Sequence, residues 1–410
     1  MFPKLRFKKF DGDWTAVTLE SLAEVERGKF SVRPRNDPRY FGGEMPFIQT
    51  GDVTGSDVYL KGYTQTLNDD GIRVSKVFPA DTILITIAAN IGDTTITQYP
   101  VACPDSVVAI QPKQDKVNTI FLKNVIDLQK DNLDSQATQN AQKNINLQVL
   151  KPLKLIVPSK EEQNKIASFL SAVDEKISQL TQKLELLSQY KQGMMQKLFS
   201  QQIRFKADDG SEFGEWEKTK FLDLMVDLWD YRGKTPKKLG MDWGDGEIQS
   251  LSALNIKKGF IDFDADCHLG SEKLYKTWMN KGDLEKDDII FTMEAPLGNV
   301  ALIPDDRKYI LSQRVVCFKT NKKMVDNKFI FQLILSDQFQ SRIEELATGT
   351  TAKGINQKSM QKIEVALPPT EEQTKIANFL SAIDQKIEVV AQQIEQAKQW
   401  KKGLLQNMFI

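Results

Sequence analysis

The sequence predicts an α+β fold in which one unit, a mixed α/β domain followed by a long helix, occurs twice. Three observations predict it. The segment PSKEEQNKIASFLSAVDEKI (158–177) returns as PPTEEQTKIANFLSAIDQKI (368–387), and the two copies agree at most positions without a gap. Short runs rich in Val, Ile, Thr and Phe, typical of strands, precede each copy. After each copy an apolar residue recurs every three or four positions, as in a long helix.

Further matched segments extend the repeat over nearly the whole chain. We therefore expect a mixed domain over 1–157, a helix over 158–200, a second mixed domain over 201–367 and a second helix over 368–410. Additional helical segments are expected towards 119–134 and 326–346. The matched segments are DTILITIAANIGD (81–93) with DDIIFTMEAPLGN (287–299), QATQNAQKNIN (136–146) with LATGTTAKGIN (346–356), and RGK at 27 with RGK at 232.

Composition excludes several classes of protein. The chain has 410 residues with 55 basic and 55 acidic side chains, so a surface for nucleic acid has to be local. No apolar run approaches the roughly 18 residues of a membrane span, and MFPKLRFKKF lacks the apolar stretch of a signal peptide. The cytoplasm is the expected location. Three scattered cysteines and the single His268 argue against a disulfide framework and a zinc site.

Each long helix carries an apolar seam with alternating spacings of four and three residues. Such a stripe cannot be hidden from water by a lone helix, and the other copy is the nearest partner. Each helix should run for about 38 residues, or roughly 57 Å at 1.5 Å per residue. The seam residues are Ile166, Leu170, Val173, Ile177, Leu180, Leu184 and Leu187 in the first helix, and Ile376, Leu380, Ile383, Ile387, Val390 and Ile394 in the second.

Lysine occupies the same seam position in both copies, at Lys191 and Lys401. Two interpretations stay open: the lysines extend outwards to solvent, or they pair with carboxylates across the interface and fix the register. Capping boxes are expected at the helix starts. The first would use Ser159 with Glu162, and the second Thr370 with Gln373.

The motifs of common enzyme sites are missing from the sequence. There is no GxGxxG after a strand, no Walker GKS or GKT, and no GxSxG. The Asn-Pro-Pro-aromatic motif of adenine methyltransferases is also missing, and His268 has no counterpart in the first unit. We expect a chain without catalytic or metal-binding residues, built for binding.

Two basic loops lie at matched positions and are candidate DNA contacts. They are RGKFSVRPRNDPRY (27–40) and YRGKTPKK (231–238). Side chains of these types donate to phosphates and to guanine, although the charges could also simply be solvated. The candidate residues are Arg27, Lys29, Arg33, Arg35 and Arg39 in the first loop, and Arg232, Lys234, Lys237 and Lys238 in the second.

Two other matched elements supply further candidates. TIAANIG (86–92) and TMEAPLG (292–298) each look like a strand that ends in a glycine turn. Their polar residues Asn90 and Glu294 could read bases. The polar runs before the last strand of each domain contain Lys143 and Lys353, which could contact backbone phosphate or merely lie in a loop.

The residues GTTAKGIN (349–356), followed by LPPTEEQTKIANFLSAIDQKI and a long heptad helix, resemble the specificity subunit of type I restriction-modification systems. The resemblance covers the full length, and the EEQ-KIA-FL segment is its most specific part. NAQKNIN (140–146) departs from the Gly-Thr-Thr stretch that the family favours.

The resemblance implies two target-recognition domains separated by two conserved helices that form an antiparallel coiled coil with a pseudo-twofold axis. Each domain would read one half of a bipartite site in double-stranded DNA. Two methyltransferase subunits and restriction subunits would be the partners, in a complex that methylates adenine N6 and cuts DNA. The cofactors S-adenosylmethionine, ATP and Mg²⁺ would belong to those subunits and none to this chain.

Because the two domains differ away from the repeated segments, the two half-sites should differ. A non-catalytic scaffold with two β-rich heads on a coiled coil is an alternative, and it would have every feature except the basic loops. A self-sufficient methyltransferase is a third class, for which the sequence offers no cofactor pocket.

Overall fold

In the computed structural model, residues 3–88, 90–137, 144–312, 314–349 and 353–409 are described. The chain forms two compact units. Unit 1 combines Met1–Thr181 with Gln392–Ile410, and unit 2 is Gln182–Ala391. Each unit therefore contains a mixed α/β domain together with parts of both long helices.

In unit 1, strands form a two-stranded and two four-stranded sheets, in the orders β1-β10, β2-β9-β6-β7 and β4-β3-β8-β5. Helices cover the sheets and link the strands. The strands are β1 (Thr15–Thr18), β2 (Ala23–Arg27), β3 (Phe41–Phe47), β4 (Gln65–Leu67), β5 (Val77–Phe78), β6 (Ile83–Thr86), β7 (Thr94–Ile96), β8 (Val101–Ala102), β9 (Val107–Pro112) and β10 (Lys154–Val157); the helices are α1 (Leu19–Leu22), α2 (Thr50–Thr54), α3 (Asp69–Arg73), α4 (Thr119–Asp127), α5 (Lys130–Ala137), α6 (Leu147–Leu150) and the start of α7 (Lys160–Phe199).

In unit 2, the sheet orders are β11-β19, β12-β18-β15-β16 and β14-β13-β17. The strands are β11 (Glu217–Lys220), β12 (Met225–Asp230), β13 (Ile248–Leu251), β14 (Leu269–Gly270), β15 (Ile289–Thr292), β16 (Val300–Leu302), β17 (Ile310–Leu311), β18 (Val315–Thr320) and β19 (Glu364–Leu367); the helices are α8 (Glu272–Trp278), α9 (Asn327–Leu335), α10 (Asp337–Leu346), α11 (Gln357–Met360) and the start of α12 (Thr370–Met408).

The predicted repeat is present in the sheet topology. The sheet β2-β9-β6-β7 has the same order and the same antiparallel pairing as β12-β18-β15-β16. We call these two the larger sheets, because their strands contain more residues than those of the other sheets in each unit. The smaller sheets β4-β3-β8-β5 and β14-β13-β17 differ, with four and three strands, although each contains one parallel pair. The α+β prediction is confirmed, and the two domains have diverged most in these smaller sheets.

The helical segments expected towards 119–134 and 326–346 are each two helices. In unit 2 the break falls at Ser336, whose backbone is extended and whose hydroxyl accepts a hydrogen bond from the Phe339 amide. Apolar residues of α4 and α9, such as Phe121 and Phe329, are fully buried between the larger sheet and the long helices. These helices join the two parts of each unit into one core.

The seam residues of the long helices are all buried or half-buried. In unit 1, Ile166 and Leu170 at the start of α7 share a core with Leu404 and Met408 at the end of α12. In unit 2, Leu198 at the end of α7 shares a core with residues at the start of α12, including Ile376 and Leu380. Start meets end in both units, so the two helices are antiparallel.

Lysines on the long helices form two matched ion pairs. Lys191 Nζ lies 2.6 Å from Asp384 Oδ1, and Lys401 Nζ lies 2.5 Å from Asp174 Oδ1. The two lysine side chains are only 14% and 22% exposed, so the interpretation that they extend to solvent is wrong and the pairing interpretation is confirmed. A parallel arrangement of the same helices would place lysine beside lysine, which like-charge repulsion disfavours.

Buried ionic contacts fasten each long helix to its own domain. Glu162 is 1% exposed and accepts two hydrogen bonds of 2.8 Å from the Arg6 guanidinium. Glu372 is fully buried and accepts the same pair from Arg204, at 3.1 and 2.7 Å. The Trp216 indole adds a third bond to Glu372 at 3.0 Å. The glutamate that occurs in both copies, Glu162 and Glu372, therefore attaches each long helix to its own domain.

The glutamine that follows each of these residues completes the contact. Gln163 accepts a hydrogen bond from the Asn118 amide at 3.0 Å and donates to the Pro158 carbonyl. Gln373 makes the matching bonds with the Asp326 amide and the Pro368 carbonyl. Both side-chain amides are 1% exposed, and paired polar groups tolerate such burial.

The helix starts differ from the expected capping boxes. The Ser159 hydroxyl accepts a bond of 3.4 Å from the Glu162 amide, but the Glu162 carboxylate binds Arg6 and does not return to the cap. The prediction of the second capping box is wrong. Thr370 is the first residue of α12, and the Gln373 side chain donates hydrogen bonds to backbone carbonyls of its domain. Both side chains therefore form hydrogen bonds with distant residues of the domain instead of capping their own helix.

Reversing one charge of an ion pair should weaken the helix pairing, and exchanging both should restore it. We expect Lys401→Asp to lower the free energy of unfolding of unit 1 by on the order of 1–3 kcal/mol, between the values for exposed and buried pairs. Asp174→Lys in the same chain should recover most of the loss in urea titrations. The exposed neighbour gives the control Lys402→Asp, which should change little. Equal losses in the single and double variants would contradict the pairing.

Removing the docking arginine should destabilise unit 1 more than unit 2. Arg6→Ala leaves Glu162 buried without its arginine, which costs about 3–5 kcal/mol. Arg204→Ala should cost less, since Glu372 keeps its bond from Trp216. Hydrogen exchange at the amides of β10 and β19 reports each unit separately. Adding Glu162→Gln to Arg6→Ala should recover stability, and equal exchange rates in all variants would contradict the role of the contact.

Candidate nucleic-acid interface

In the sheet β2-β9-β6-β7 of unit 1, loops that are distant in sequence lie together at one end of the strands. We call that end an edge of the sheet. β2 ends at Arg27, which pairs with Val108 near the start of β9. β6 ends at Thr86, which pairs with Val107. The basic loop 27–40 and the turn that follows Thr86 therefore begin at the same edge. Alternating strand directions in the antiparallel sheet produce this arrangement.

Unit 2 repeats the arrangement. β12 ends at Asp230, which pairs with Val316, and β15 ends at Thr292, which pairs with Val315. The basic loop 231–238 and the turn 293–299 therefore begin at a common edge as well.

The third matched segment meets the same edge in both units. In unit 1 the Ile145 amide donates to the Ile87 carbonyl at 3.1 Å. In unit 2 the Ile355 amide donates to the Met293 carbonyl at 2.9 Å, and Glu294 pairs with Gly354. The described residues of three segments that sequence comparison matched separately thus meet at one end of a sheet in each unit: 27–40, 86–88, 90–92 and 144–146 in unit 1, and 231–238, 293–299 and 353–356 in unit 2. We call this end of each sheet the recognition edge. Lys143 lies outside the described residues.

The basic loop of unit 1 is exposed and partly neutralised. The Arg35 guanidinium lies 2.9 Å from an Asp105 oxygen, and the Arg27 guanidinium binds the Asp105 carbonyl. Arg39 pairs with Asp37 at 2.7 Å, and its hydrogen bonds lower the pKa of that carboxyl. Arg33 is exposed and donates to the Val32 carbonyl. Lys29 is also exposed.

The basic loop of unit 2 is more firmly held. Arg232 makes a two-pronged contact with Asp230, whose hydrogen bonds raise the pKa of the guanidinium. The Lys234 amine donates to the Trp278 carbonyl at 2.9 Å and lies 4.7 Å from the centre of the Tyr231 ring. Burial lowers the pKa of this lysine. DNA contact by Lys234 stays a prediction. The contacts of its amine with Trp278 and Tyr231 indicate that this side chain stabilises the conformation of the loop.

The remaining candidates of unit 2 differ in their surroundings. Lys237 and Lys238 are exposed, and the Lys238 amine donates to the Gly233 carbonyl at 2.7 Å. Lys353 is exposed and pairs with Glu344 at 2.6 Å. Glu294 is half-buried.

Asn90 of unit 1 is exposed beside a surface cavity of about 490 Å³. Its carbonyl accepts a hydrogen bond from the Thr86 hydroxyl. Asp93, Asp131, Asp134 and Lys130 also line the cavity, and Lys130 pairs with Asp93, so acidic side chains outnumber basic ones there. The side chain is accessible, but not within a basic surface.

Sequence reasoning missed two charged residues of the recognition edges. Asp105 precedes β9 and forms an ion pair with Arg35 of the first loop, and Arg314 precedes β18, with its Nε atom 3.6 Å from Glu294 Oε1. Asp105 and Arg314 both lie just before the strand that is β9 in unit 1 and its equivalent β18 in unit 2. The matched positions carry different residues, so comparison of the two copies gave no signal.

His268, Cys103 and Cys317 take part in packing. The His268 ring stacks on Trp243 with centroids 5.1 Å apart. Cys103 is buried, which raises the pKa of its thiol to about 12. Within the described ranges, no group of three or more His, Cys, Asp and Glu side chains could hold a metal ion. No helix among these residues has the length and apolar character to cross a membrane.

A model of the type I restriction modification DNA specificity domain matches the chain twice, over residues 11–189 and 214–399. The specificity subunit of the type I restriction enzyme MjaVIII from Methanocaldococcus jannaschii is 26% identical over 414 residues, covering 97% of this chain and 94% of that protein. The EcoBI specificity subunit from Escherichia coli is 19% identical over 425 residues, covering 96% and 84%.

Among solved structures, the S subunit of a type I restriction-modification system from M. genitalium is similar, with a TM-score of 0.62 and 16% identity. The match covers 100% of this chain and 99% of that one, and at this identity it shows a shared fold. The two domain matches together cover well over half of the chain and contain the two recognition edges. The chain belongs to the family of DNA specificity subunits of type I restriction-modification systems.

Proposed function

We propose that this chain reads an asymmetric, two-part site in double-stranded DNA, one part with each recognition edge. The observation that carries the proposal is the convergence of three matched segments on one sheet edge in both units. The topology is the same, whereas the side chains differ: the basic loop of unit 1 carries Arg33 and Arg35, and that of unit 2 carries Lys237 and Lys238. Different donors and acceptors select different bases.

We infer that each target-recognition domain ends where its long helix starts. The division would then be residues 1–157, 158–200, 201–367 and 368–410, with the helices as spacers. A helix of 40 residues is about 60 Å long, which exceeds the roughly 34–36 Å between half-sites one turn apart. Such a spacer would leave unread base pairs between the two parts.

Catalysis would belong to partner subunits. Two methyltransferase subunits, which use S-adenosylmethionine to methylate adenine N6, and restriction subunits, which use ATP and Mg²⁺, would dock on this chain. Exposed apolar side chains on the long helices support docking there, because solvent-facing aromatic residues often mark interfaces. Tyr190 and Trp400, at matched positions, are 52% and 54% exposed.

The methylated sequence should be discontinuous and asymmetric. Methylome sequencing of a host that carries this chain with its methyltransferase subunits would reveal the motif. The expected result is two different short sequences separated by a fixed number of unspecified base pairs. An uninterrupted motif, or two identical inverted halves, would contradict the proposal.

Neutralising the first basic loop should weaken binding and reduce its dependence on salt. We expect the Arg33→Ala, Arg35→Ala double variant, assembled with its partner subunits, to bind duplex DNA with lower affinity. The slope of log affinity against log salt concentration should become shallower by about one for each phosphate that the variant no longer neutralises. Fluorescence anisotropy at several salt concentrations measures both quantities.

The matched control removes two lysines from the opposite edge of the same sheet, as Lys113→Ala with Lys116→Ala. These residues follow the other end of β9 and donate to the Ser21 carbonyl. Binding that is unchanged in the arginine variant, or weakened equally in the control, would favour the alternative of a protein-interaction scaffold.

A further inference from the structure

A charged pair at the recognition edge of unit 2 is replaced by two uncharged residues at the matched, described positions of unit 1. Glu294 follows β15 and Arg314 precedes β18. The bond from the Met293 amide to the Arg314 carbonyl is matched in unit 1 by a bond from the Ile87 amide to the Ser106 carbonyl. The bridge between Glu294 and Gly354 is matched by one between Ala88 and Asn144. Ala88 and Ser106 therefore occupy the places of the charged pair.

The backbone at Arg314 is fixed in an uncommon conformation. Its φ angle is 70°, in the left-handed region that residues with a side chain seldom adopt. Such outliers persist where the surrounding structure imposes them, and they cluster at functional sites. The carbonyl is anchored by the 2.9 Å bond from Met293, while the side chain is 53% exposed. The backbone is fixed and the guanidinium is accessible.

Glu294 interacts with the charges of two arginines. Its Oε1 is 3.6 Å from Arg314 Nε, beyond the 2.7–3.2 Å of a normal hydrogen bond. Its negative charge also helps to raise the pKa of Arg232, after the larger effect of the Asp230 hydrogen bonds. Gly354 leaves room for this side chain, since a Cβ added there would lie 3.1 Å from the Glu294 Cβ. Charge attraction thus orients Arg314 without holding it in a closed pair.

We propose that Arg314 reads a guanine in the half-site contacted by unit 2, and that Glu294 is a positioning residue for it. Guanine presents two acceptors, O6 and N7, in the major groove, and the forked donors of arginine match both. Glu294 directs the guanidinium before DNA arrives. The inference rests on the proposed function and adds a residue and a base to it. Because unit 1 carries Ala88 and Ser106, the effect is confined to one half-site.

The test uses the complex assembled with its methyltransferase subunits and duplexes in which each position of the motif is replaced in turn. Arg314→Ala should reduce the preference for guanine at one position of one half-site by roughly 5- to 150-fold, the range of a bidentate base contact. Arg314→Lys keeps the charge but lacks the two parallel N–H donors of the guanidinium, so it should lose part of the preference for guanine. The other half-site should be unchanged.

Glu294→Gln should lower discrimination at the same position while affinity for random duplex stays equal or rises, because a negative charge is removed. A merely structural role would weaken binding to all sequences. The control is Arg307→Ala, an arginine that is 66% exposed, pairs with Asp305 and lies beyond the opposite end of β16. It should leave the motif unchanged.

An unaltered motif in Arg314→Ala would overturn the inference. A uniform loss of affinity with a shallower salt dependence would overturn it too, since that pattern identifies a phosphate contact. A wild-type complex that binds DNA without any sequence preference would overturn the proposed function itself, and this outcome is seen before any variant is compared.

Discussion

Burial of one apolar seam on each long helix is the constraint on which the rest of the structure depends. Neither helix can bury its seam alone, so each requires the other. Charge favours the antiparallel direction, because this direction brings Lys191 to Asp384 and Lys401 to Asp174. Each compact unit consequently contains parts of both long helices.

The segment that is most alike in the two copies lies where the helix meets the domain. Its glutamate and glutamine are buried. Hydrogen bonds from arginine to the glutamate, and from the glutamine to the backbone, offset the cost of burying these polar groups. A change on one side of such a contact leaves the other side buried and unpaired. This physical penalty accounts for the likeness of the EEQ segments, while loops at the opposite part of the domain have diverged.

The recognition edges combine a fixed frame with variable side chains. Strand order brings the same three loops together in both units, so any residue placed there is presented in a similar way. Arg35 with Asp105 in one unit, and Arg314 with Glu294 in the other, show how charge differs on a common frame. On the proposed function, these residues can change the bases that are read without altering the core.

The sequence by itself determined the repeat, the α+β class, the long helices and their seam, because these depend on local periodicity and on similarity between copies. It also located the three segments of the recognition edge. The tertiary structure decided which of two roles Lys191 and Lys401 take, that Glu162 leaves its cap for Arg6, and that Lys234 is turned into its domain. It also brought Asp105 and Arg314 to the edges. These outcomes depend on partners far away in the chain, and no local pattern of residues encodes which distant groups will compete for a side chain.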